Sequence, residues 1–215
     1  ISCSLVGSEM CIRDRYKFLS GLAKGVTHCI FRVKVVGKEN VPKDGGMILA
    51  VNHKSNWDPI FAGAYCPRPL RFMAKADLFK NKLFGGLIKK LGAFPIQRGR
   101  GDIGAIKGAF SILKNNDAML IFPEGHRIKN GKRVKAKLGV SMIAVYAKVP
   151  VIPLCISGEY KPFHKVTVTF GKPITFEEYY GKKPDNETLQ TLADEVMQTI
   201  YSFDNTDIKK IGEQK

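Results

Sequence analysis

A histidine and an aspartate close together in the chain are the residues best suited to chemistry. His53 and Asp58 lie in the segment Asn52–Pro59, directly after the apolar run Met47–Val51, which predicts a buried strand. A histidine oriented by a carboxylate can act as general base towards a hydroxyl group. The spacing also fits a structural role, because Asp58 can cap a helix that begins at Pro59. The spacing alone leaves both interpretations open.

A second group of candidate residues follows another apolar run. Ala118–Phe122 predicts a buried strand, and the turn after it contains Glu124, Gly125 and Arg127, followed by further basic residues. A guanidinium binds phosphate through paired hydrogen bonds, and many like charges in one loop repel one another unless an anion binds. We therefore predict a phosphate-binding turn. A solvated, hairpin-like loop around Gly131 is the structural alternative.

Arg98 is a third candidate, at the end of a strand predicted from Phe94. There its guanidinium can bind a phosphate. The same stretch opens an alternative, because the pattern G-x-G-x-x-G begins at Gly99, between a predicted strand and a predicted helix, as in dinucleotide-binding enzymes. Two residues count against this alternative. Pro95 interrupts the strand, and the carboxylate of Asp102 would repel pyrophosphate at the start of the helix.

The composition describes a basic protein with a core of ordinary size. The chain has 215 residues, 44% of them hydrophobic, and its 35 Lys and Arg against 19 Asp and Glu give a net charge of +16. A chain of this length suits one domain. The positive net charge attracts polyanions, and the candidates are nucleic acid, an anionic membrane surface and phosphorylated substrates. A basic, solvated surface without such a partner is the alternative.

Cysteine spacing and apolar runs argue against several other classes. The five cysteines are scattered without C-x-x-C or zinc spacing, which favours a reduced, intracellular setting over a disulfide framework. No apolar run reaches the ~18 residues of a membrane span, and no G-x-S-x-G nucleophile elbow occurs. His53, Asp58, Glu124 and His126 are possible metal ligands, but their spacing does not require a metal, so we predict none.

Two apolar stripes with basic flanks predict amphipathic helices. Apolar residues recur at helical spacing from Phe18 to Val33, and a second stripe runs from Leu78 to Leu91. Such helices lie on a membrane or pack on the protein's own core, and the sequence leaves this open. Elsewhere strands alternate with helices. The pattern predicts an α/β single domain with a largely parallel, mixed sheet flanked by helices, plus the N-terminal amphipathic helix.

The chain divides into one domain with two short ends. Residues 1–15 lack periodicity and resemble a translated sequencing-adapter read-through, so we expect the native start, with any upstream membrane anchor, to be missing. We expect the folded domain to span residues 16–204 and residues 205–215 to form a polar tail.

Four segments in this order resemble the motifs of the glycerolipid acyltransferase family, the family of the bacterial lysophosphatidate acyltransferases. They are Asn52-His53 with Asp58; Gly92, Phe94 and Arg98; Phe122-Pro123-Glu124-Gly125 with Arg127; and the proline-bearing strand Val149–Pro153. Lys137 also matches a position typical of the family. The resemblance runs from about Val33 to Phe170, most of the chain, and implies a glycerol-phosphate acyltransferase-like fold.

The resemblance implies transfer of a fatty acyl group from a thioester of acyl carrier protein or coenzyme A to the free hydroxyl of a lysophospholipid. His53 would be the general base and Asp58 its orienter, with no covalent acyl-enzyme and no cofactor. The acceptor's phosphate would be bound by residues of the other motifs, namely Arg98, Glu124, Gly125, Arg127 and Lys137.

The resemblance also implies a location and a choice of acceptors. The enzyme would act at the cytoplasmic face of the cell membrane, bound to its anionic surface or anchored by a missing N-terminal segment, with no nucleic-acid partner. His126 and Ile128 stand where the family has Thr and Ser, which removes two hydroxyls from the predicted phosphate site. The acceptor would be lysophosphatidate, another lysolipid or glycerol 3-phosphate. Alternatives of another class are a basic lipid- or nucleic-acid-binding protein and a dinucleotide-binding enzyme.

Overall fold

The computed structural model describes residues 2–80, 85–86, 92–96, 103–128 and 133–204. Within these residues a seven-stranded sheet has the order β1-β7-β6-β2-β5-β3-β4. Its strands are β1 (Arg32–Val36), β2 (Met47–Val51), β3 (Leu70–Lys75), β4 (Ala93–Ile96), β5 (Ala118–Ile121), β6 (Val151–Gly158) and β7 (Lys165–Phe170). The helices are α1 (Ser2–Ile30), α2 (Asp58–Tyr65), α3 (Ile103–Lys114), α4 (Gly139–Ala147) and α5 (Asn186–Ser202).

Strand direction confirms the predicted mixed, largely parallel sheet. Strands β6, β2, β5, β3 and β4 run parallel to one another, whereas β7 pairs antiparallel with β6 and parallel with β1. The carboxyl ends of β2, β5 and β6 therefore meet at the same edge as the amino ends of β1 and β7. Pro95 lies in β4, the last strand in the sheet order, and an edge strand tolerates a missing backbone N–H.

The central strands are apolar on both faces because helices cover both. All five residues of β2 are buried. Ile48 and Ala50 pack into the core formed with α3, α4 and α5, whereas Met47, Leu49 and Val51 pack into the core beneath α2. A strand buried on both faces gains about 1.5–3 kcal/mol for each large apolar side chain removed from water. This burial fixes the position of β2, which leads directly into the His53 segment.

Helix α1 differs from the predicted single apolar stripe. It packs on α2 through Tyr16, whose hydroxyl donates to Gly63 O at 3.0 Å, and through the buried side chain of Thr27. Phe18, Leu22 and Val26 point away from this contact and are 73%, 57% and 44% exposed. The predicted amphipathic stripe is therefore not confirmed, because its apolar residues are divided between two faces of the helix.

Two other predictions concern the same helix and the second stripe. The backbone of α1 is one continuous helix from Ser2, and the proposal that residues 1–15 are foreign stays a prediction. Most of the stripe from Leu78 to Leu91 lies outside the described residues; its start forms the short 3-10 helix Ala76–Phe79. In the described part of the chain, no helix is both long enough and apolar enough to cross a bilayer.

Candidate active site

The Asp58 carboxylate is the centre of the hydrogen-bond network after β2. Asp58 is fully buried, and its Oδ2 accepts the backbone N–H groups of Lys54 at 2.7 Å and Ser55 at 2.6 Å. The same oxygen lies 3.0 Å from His53 Nδ1. The N-cap residue of α2 is Trp57, and its side chain makes no capping hydrogen bond. The helix-cap interpretation is therefore wrong, since the carboxylate binds the preceding turn and the imidazole instead.

Among the described residues, only one nitrogen of the His53 ring, Nδ1, has a hydrogen-bond partner. The Asp58 carboxylate beside Nδ1 favours the tautomer protonated there, which leaves the lone pair on Nε2. The ring stacks on Phe122, with centroids 4.0 Å apart and planes inclined by 20°. Ile128 N–H donates to His53 O at 2.7 Å, so the turn after β5 also fixes the histidine backbone. An imidazole held in this way by a buried carboxylate can act as a general base.

Tyr160 supplies a further contact to the carboxylate. It follows β6, and its hydroxyl donates to Asp58 Oδ1. Burial, together with the negative charge of Asp58, raises the pKa of the Tyr160 phenol, so it remains a donor. Lys54 Nζ donates to Gly158 O at 3.0 Å and lies 5.3 Å from the centre of the Tyr160 ring. Sequence analysis missed Tyr160, because no local pattern connects a tyrosine after β6 with an aspartate in α2.

Asn52 joins β2 to β6 beyond the end of their backbone ladder. Its Oδ1 accepts Ile156 N–H at 2.8 Å, and its Nδ2 donates to Ile156 O at 3.1 Å. The last paired residues of these strands are Val51 and Leu154. Asn52 is buried, so both polar atoms of its amide require these partners. The asparagine before the histidine thus fixes the point at which the chain leaves the sheet.

Glu124 contacts the backbone of His53. It is 3% exposed, its Oε2 accepts His53 N–H at 3.0 Å, and its Oε1 accepts the Tyr201 hydroxyl at 3.2 Å. Burial raises the pKa of the Glu124 carboxyl to about 7. Both carboxylate oxygens therefore bind protein groups, and the predicted contact of Glu124 with the acceptor's phosphate stays a prediction. Tyr201, at the end of α5, was also missed by sequence analysis.

The remaining predicted residues of the turn after β5 lie close to the histidine loop. Arg127 is exposed, and its Nη1 donates to Asn56 Oδ1 at 2.8 Å. Gly125 has a left-handed φ of 74°, and a Cβ there would lie 3.2 Å from the Lys137 side chain. Both the backbone and this close approach favour glycine. Lys137 N–H donates to Pro123 O at 2.7 Å, which brings its side chain to the same turn.

The structure thus brings six of the seven predicted residues to one edge of the sheet. They are His53, Asp58, Glu124, Gly125, Arg127 and Lys137. Arg98 and most of the G-x-G-x-x-G pattern from Gly99 lie outside the described residues. The binding roles of all these residues stay predictions, although their placement at the carboxyl ends of parallel strands is usual for substrate sites in α/β proteins.

Comparison with known proteins identifies the family. A family model described as Acyltransferase matches residues 32–157, which include the turns after β2 and β5. The chain belongs to the acyltransferase family. The resemblance expected from the four motifs is therefore confirmed, and the protein is an acyltransferase enzyme.

Individual members of the acyltransferase family are similar over most of the chain. The 1-acyl-sn-glycerol-3-phosphate acyltransferase of Bacillus subtilis is 31% identical over 196 residues, 88% of this chain and 97% of that protein. The enzyme of the same name from Streptococcus pneumoniae is 35% identical over 169 residues, 75% of this chain and 62% of that protein. The crystal structure of the 1-acyl-sn-glycerophosphate acyltransferase PlsC from Thermotoga maritima superimposes with a TM-score of 0.70 at 28% identity, covering 87% of this chain and 78% of that one.

Proposed function

We propose that this acyltransferase moves a fatty acyl group from an acyl thioester to the free hydroxyl of lysophosphatidate and so forms phosphatidate. The observation that supports this most strongly is the His53–Asp58 pair, joined at 3.0 Å in a turn within the matched family region. The names of the Bacillus and Streptococcus relatives supply the acceptor, 1-acyl-sn-glycerol-3-phosphate.

The reaction starts with a proton transfer to His53. Nε2 removes the proton from the acceptor hydroxyl while that oxygen attacks the thioester carbonyl carbon. The C–O bond forms, and the carbonyl oxygen becomes the oxyanion of a tetrahedral intermediate. This intermediate collapses, the C–S bond breaks, and the leaving thiolate takes the proton from the imidazolium. His53 returns to its neutral state, and no acyl group is attached to the protein.

Asp58 acts through the histidine. Its buried carboxylate orients the ring through Nδ1 and stabilises the imidazolium formed in the first step. The two backbone N–H donors and the Tyr160 hydroxyl hold this carboxylate in one position. A preorganised charge of this kind needs no rearrangement when the proton moves, which is why it lowers the barrier.

The acceptor's phosphate is bound by basic groups on the same edge. Arg127 and Lys137 offer a guanidinium and an ammonium at the turn after β5, and the left-handed backbone at Gly125 brings that turn close to Lys137. We include Arg98 by resemblance to the family motif. His126 and Ile128 replace two hydroxyl residues of that motif, so the charged donors must provide more of the binding.

The enzyme works on a membrane surface. Phe18, Leu22 and Val26 form an exposed apolar line at four-residue spacing on α1, suited to entering the interface of a bilayer. The net charge of +16 attracts an anionic leaflet, which at the cytoplasmic face contains the acceptor. The acyl donor is a thioester of acyl carrier protein or coenzyme A.

A transfer assay tests the proposal. A labelled acyl thioester, offered on acyl carrier protein or on coenzyme A, is paired with lysophosphatidate, other lysophospholipids and glycerol 3-phosphate in detergent. The proposal predicts that labelled phosphatidate forms fastest. Preference for glycerol 3-phosphate or for another lysophospholipid would refute the proposed acceptor, and no transfer to any acceptor would refute the proposed reaction.

A further inference from the structure

A second basic region lies on the same edge of the sheet as His53. A cleft of about 700 Å³ opens where β1 and β7 begin. Six of the residues that line it are His28, Arg32, Lys34, Phe163, His164 and Lys165. This volume is large enough for a phosphate with its attached glycerol. None of these residues has a part in the acyl-transfer chemistry.

The charge in this cleft is mainly positive, although the Glu159 carboxylate lies 3.7 Å from Nδ1 of His164, one of the lining residues. Arg32 and Lys165 are register partners in the parallel pair β1–β7, so their side chains leave the same face of the sheet. Lys34 lies one step further along that face and is also exposed. Among the described residues, none of these three cations has an acidic partner within ion-pair distance. Three uncompensated cations in one concave surface attract an anion.

The position of the cleft separates it from the acyl-transfer site. In the sheet order β1-β7-β6-β2, three strand spacings of about 4.8 Å put β1 about 14 Å from β2. Because β1 and β7 run opposite to β6 and β2, the cleft and His53 still lie on one edge. A flat surface that touches this edge would contact both regions at once.

Phe163 adds an exposed aromatic ring to the cleft. Its ring is 70% exposed, and its φ of 63° lies in the left-handed region that non-glycine residues rarely adopt. Its N–H donates to Ile30 O at 2.6 Å, which ties this turn to the end of α1. An exposed aromatic ring beside clustered cations is typical of surfaces that bind anionic lipids, where the ring enters the interface and the cations meet phosphates.

We propose that the cleft between α1 and the start of β1 and β7 binds the phosphate of an anionic phospholipid that is not the acceptor. Arg32, Lys34 and Lys165 contact the headgroup, and Phe163 inserts beside it. The bound lipid holds the catalytic edge against the bilayer, where the acceptor is found. This inference rests on the proposed function, since it identifies the site and the lipid class of the proposed membrane contact.

Vesicle binding tests the inference without any acyl transfer. Wild-type protein is co-sedimented with vesicles of phosphatidylcholine alone and of phosphatidylcholine with phosphatidylglycerol. The double variant Lys34→Gln/Lys165→Gln should bind the anionic vesicles at least about tenfold more weakly, because each basic residue near such a surface contributes about 1 kcal/mol. The matched control Lys182→Gln/Lys183→Gln removes the same charge from exposed lysines outside the cleft. It should keep most of the binding.

Further measurements distinguish failure of this inference from failure of the proposed function. Phe163→Ala should weaken binding to the same vesicles, and thermal unfolding checks that each variant is folded. Acyl transfer in detergent should be intact in the double variant. If the wild-type protein transferred no acyl group in detergent, the proposed function would be refuted, but the inference about the cleft would not. Equal losses in the double variant and its control would overturn the inference. So would normal vesicle binding with impaired transfer from the acyl carrier protein thioester, because the cleft would then bind the acidic donor protein.

Discussion

Glu124 accepts the backbone N–H of His53 at 3.0 Å, although the two residues lie 71 positions apart in the chain. The turn after β5 thereby determines where the imidazole is placed. The Glu124 carboxylate would repel the acceptor's phosphate. Its burial and its hydrogen bond to His53 therefore suit a role in positioning the histidine better than contact with the substrate. The kinetics of Glu124 variants distinguish the two roles.

Glu124→Ala should lower kcat about 100-fold while acceptor KM changes little. The substitution leaves the His53 N–H without its acceptor, and a displacement of about 1 Å at a catalytic group costs on the order of 100-fold in rate. Glu124→Gln keeps one oxygen acceptor for this N–H and should retain most of the turnover. Steady-state kinetics with varied acceptor measure both constants. An increase in acceptor KM with unchanged kcat would show instead that Glu124 contacts the substrate.

The raised pKa of Glu124 predicts a loss of stability as pH rises. The folded protein holds this proton up to about pH 7, whereas an ordinary glutamate releases it near 4.5. The folded state therefore binds more protons between these values, and its stability falls as pH increases through this window. We expect a loss on the order of 2 kcal/mol from this carboxyl. Urea unfolding at pH 5 and pH 8 measures it.

The matching control for this pH effect is Glu124→Gln, which has no proton to release. Other groups can also change protonation between pH 5 and pH 8, so only the difference between the two proteins reports on Glu124. The free energy of unfolding of the variant should fall less than that of the wild type between pH 5 and pH 8. An identical fall in both proteins would contradict a raised pKa at this residue.

Tyr160→Phe should lower both turnover and stability. The phenylalanine fits the same space but leaves Asp58 Oδ1 without its donor, and an unsatisfied buried polar group costs about 1–3 kcal/mol. Tyr146→Phe is a suitable control, because Tyr146 is exposed on α4. Urea unfolding and kcat at saturating substrates are the measurements. Wild-type values of both in Tyr160→Phe would mean that the hydroxyl does not hold the carboxylate.

Arg127→Ala should raise acceptor KM about 10- to 100-fold, the range expected when a charged hydrogen bond of about 1.5–3 kcal/mol is lost. The donor KM should change far less, since the guanidinium is proposed to contact only the acceptor's phosphate. Lys172→Ala, at an exposed position after β7, is the control for the loss of one positive charge. Equal effects on the two KM values would argue against a phosphate contact.

Local patterns predicted much of this fold and part of the hydrogen-bond network at the candidate site. The apolar runs of β2 and β5 are visible in the sequence, because a buried strand selects apolar side chains. His53 and Asp58 are visible in sequence because they share one turn. Tyr160 lies 102 positions from Asp58, and Tyr201 lies 77 positions from Glu124. The strand order places Tyr160 and the packing of α5 places Tyr201, and no local pattern encodes either.

Helix α1 shows another limit of periodicity. Spacing identifies apolar positions, but it does not say which of them a neighbouring element covers. Tyr16 and Thr27 bind α2 partly through hydroxyl groups, which an apolar count ignores. Phe18, Leu22 and Val26 are left exposed as a result. The face that contacts α2 is known only once α2 is placed.

Single-turnover transfer by His53→Ala tests the proposed mechanism most directly. With labelled acyl thioester and lysophosphatidate, the variant should lose at least about 1,000-fold in rate, since it lacks the general base. It should still bind lysophosphatidate in equilibrium binding, because the phosphate contacts remain, and its circular dichroism spectrum should match that of the wild type. A folded His53→Ala protein that transfers the acyl group at close to the wild-type rate would contradict the mechanism.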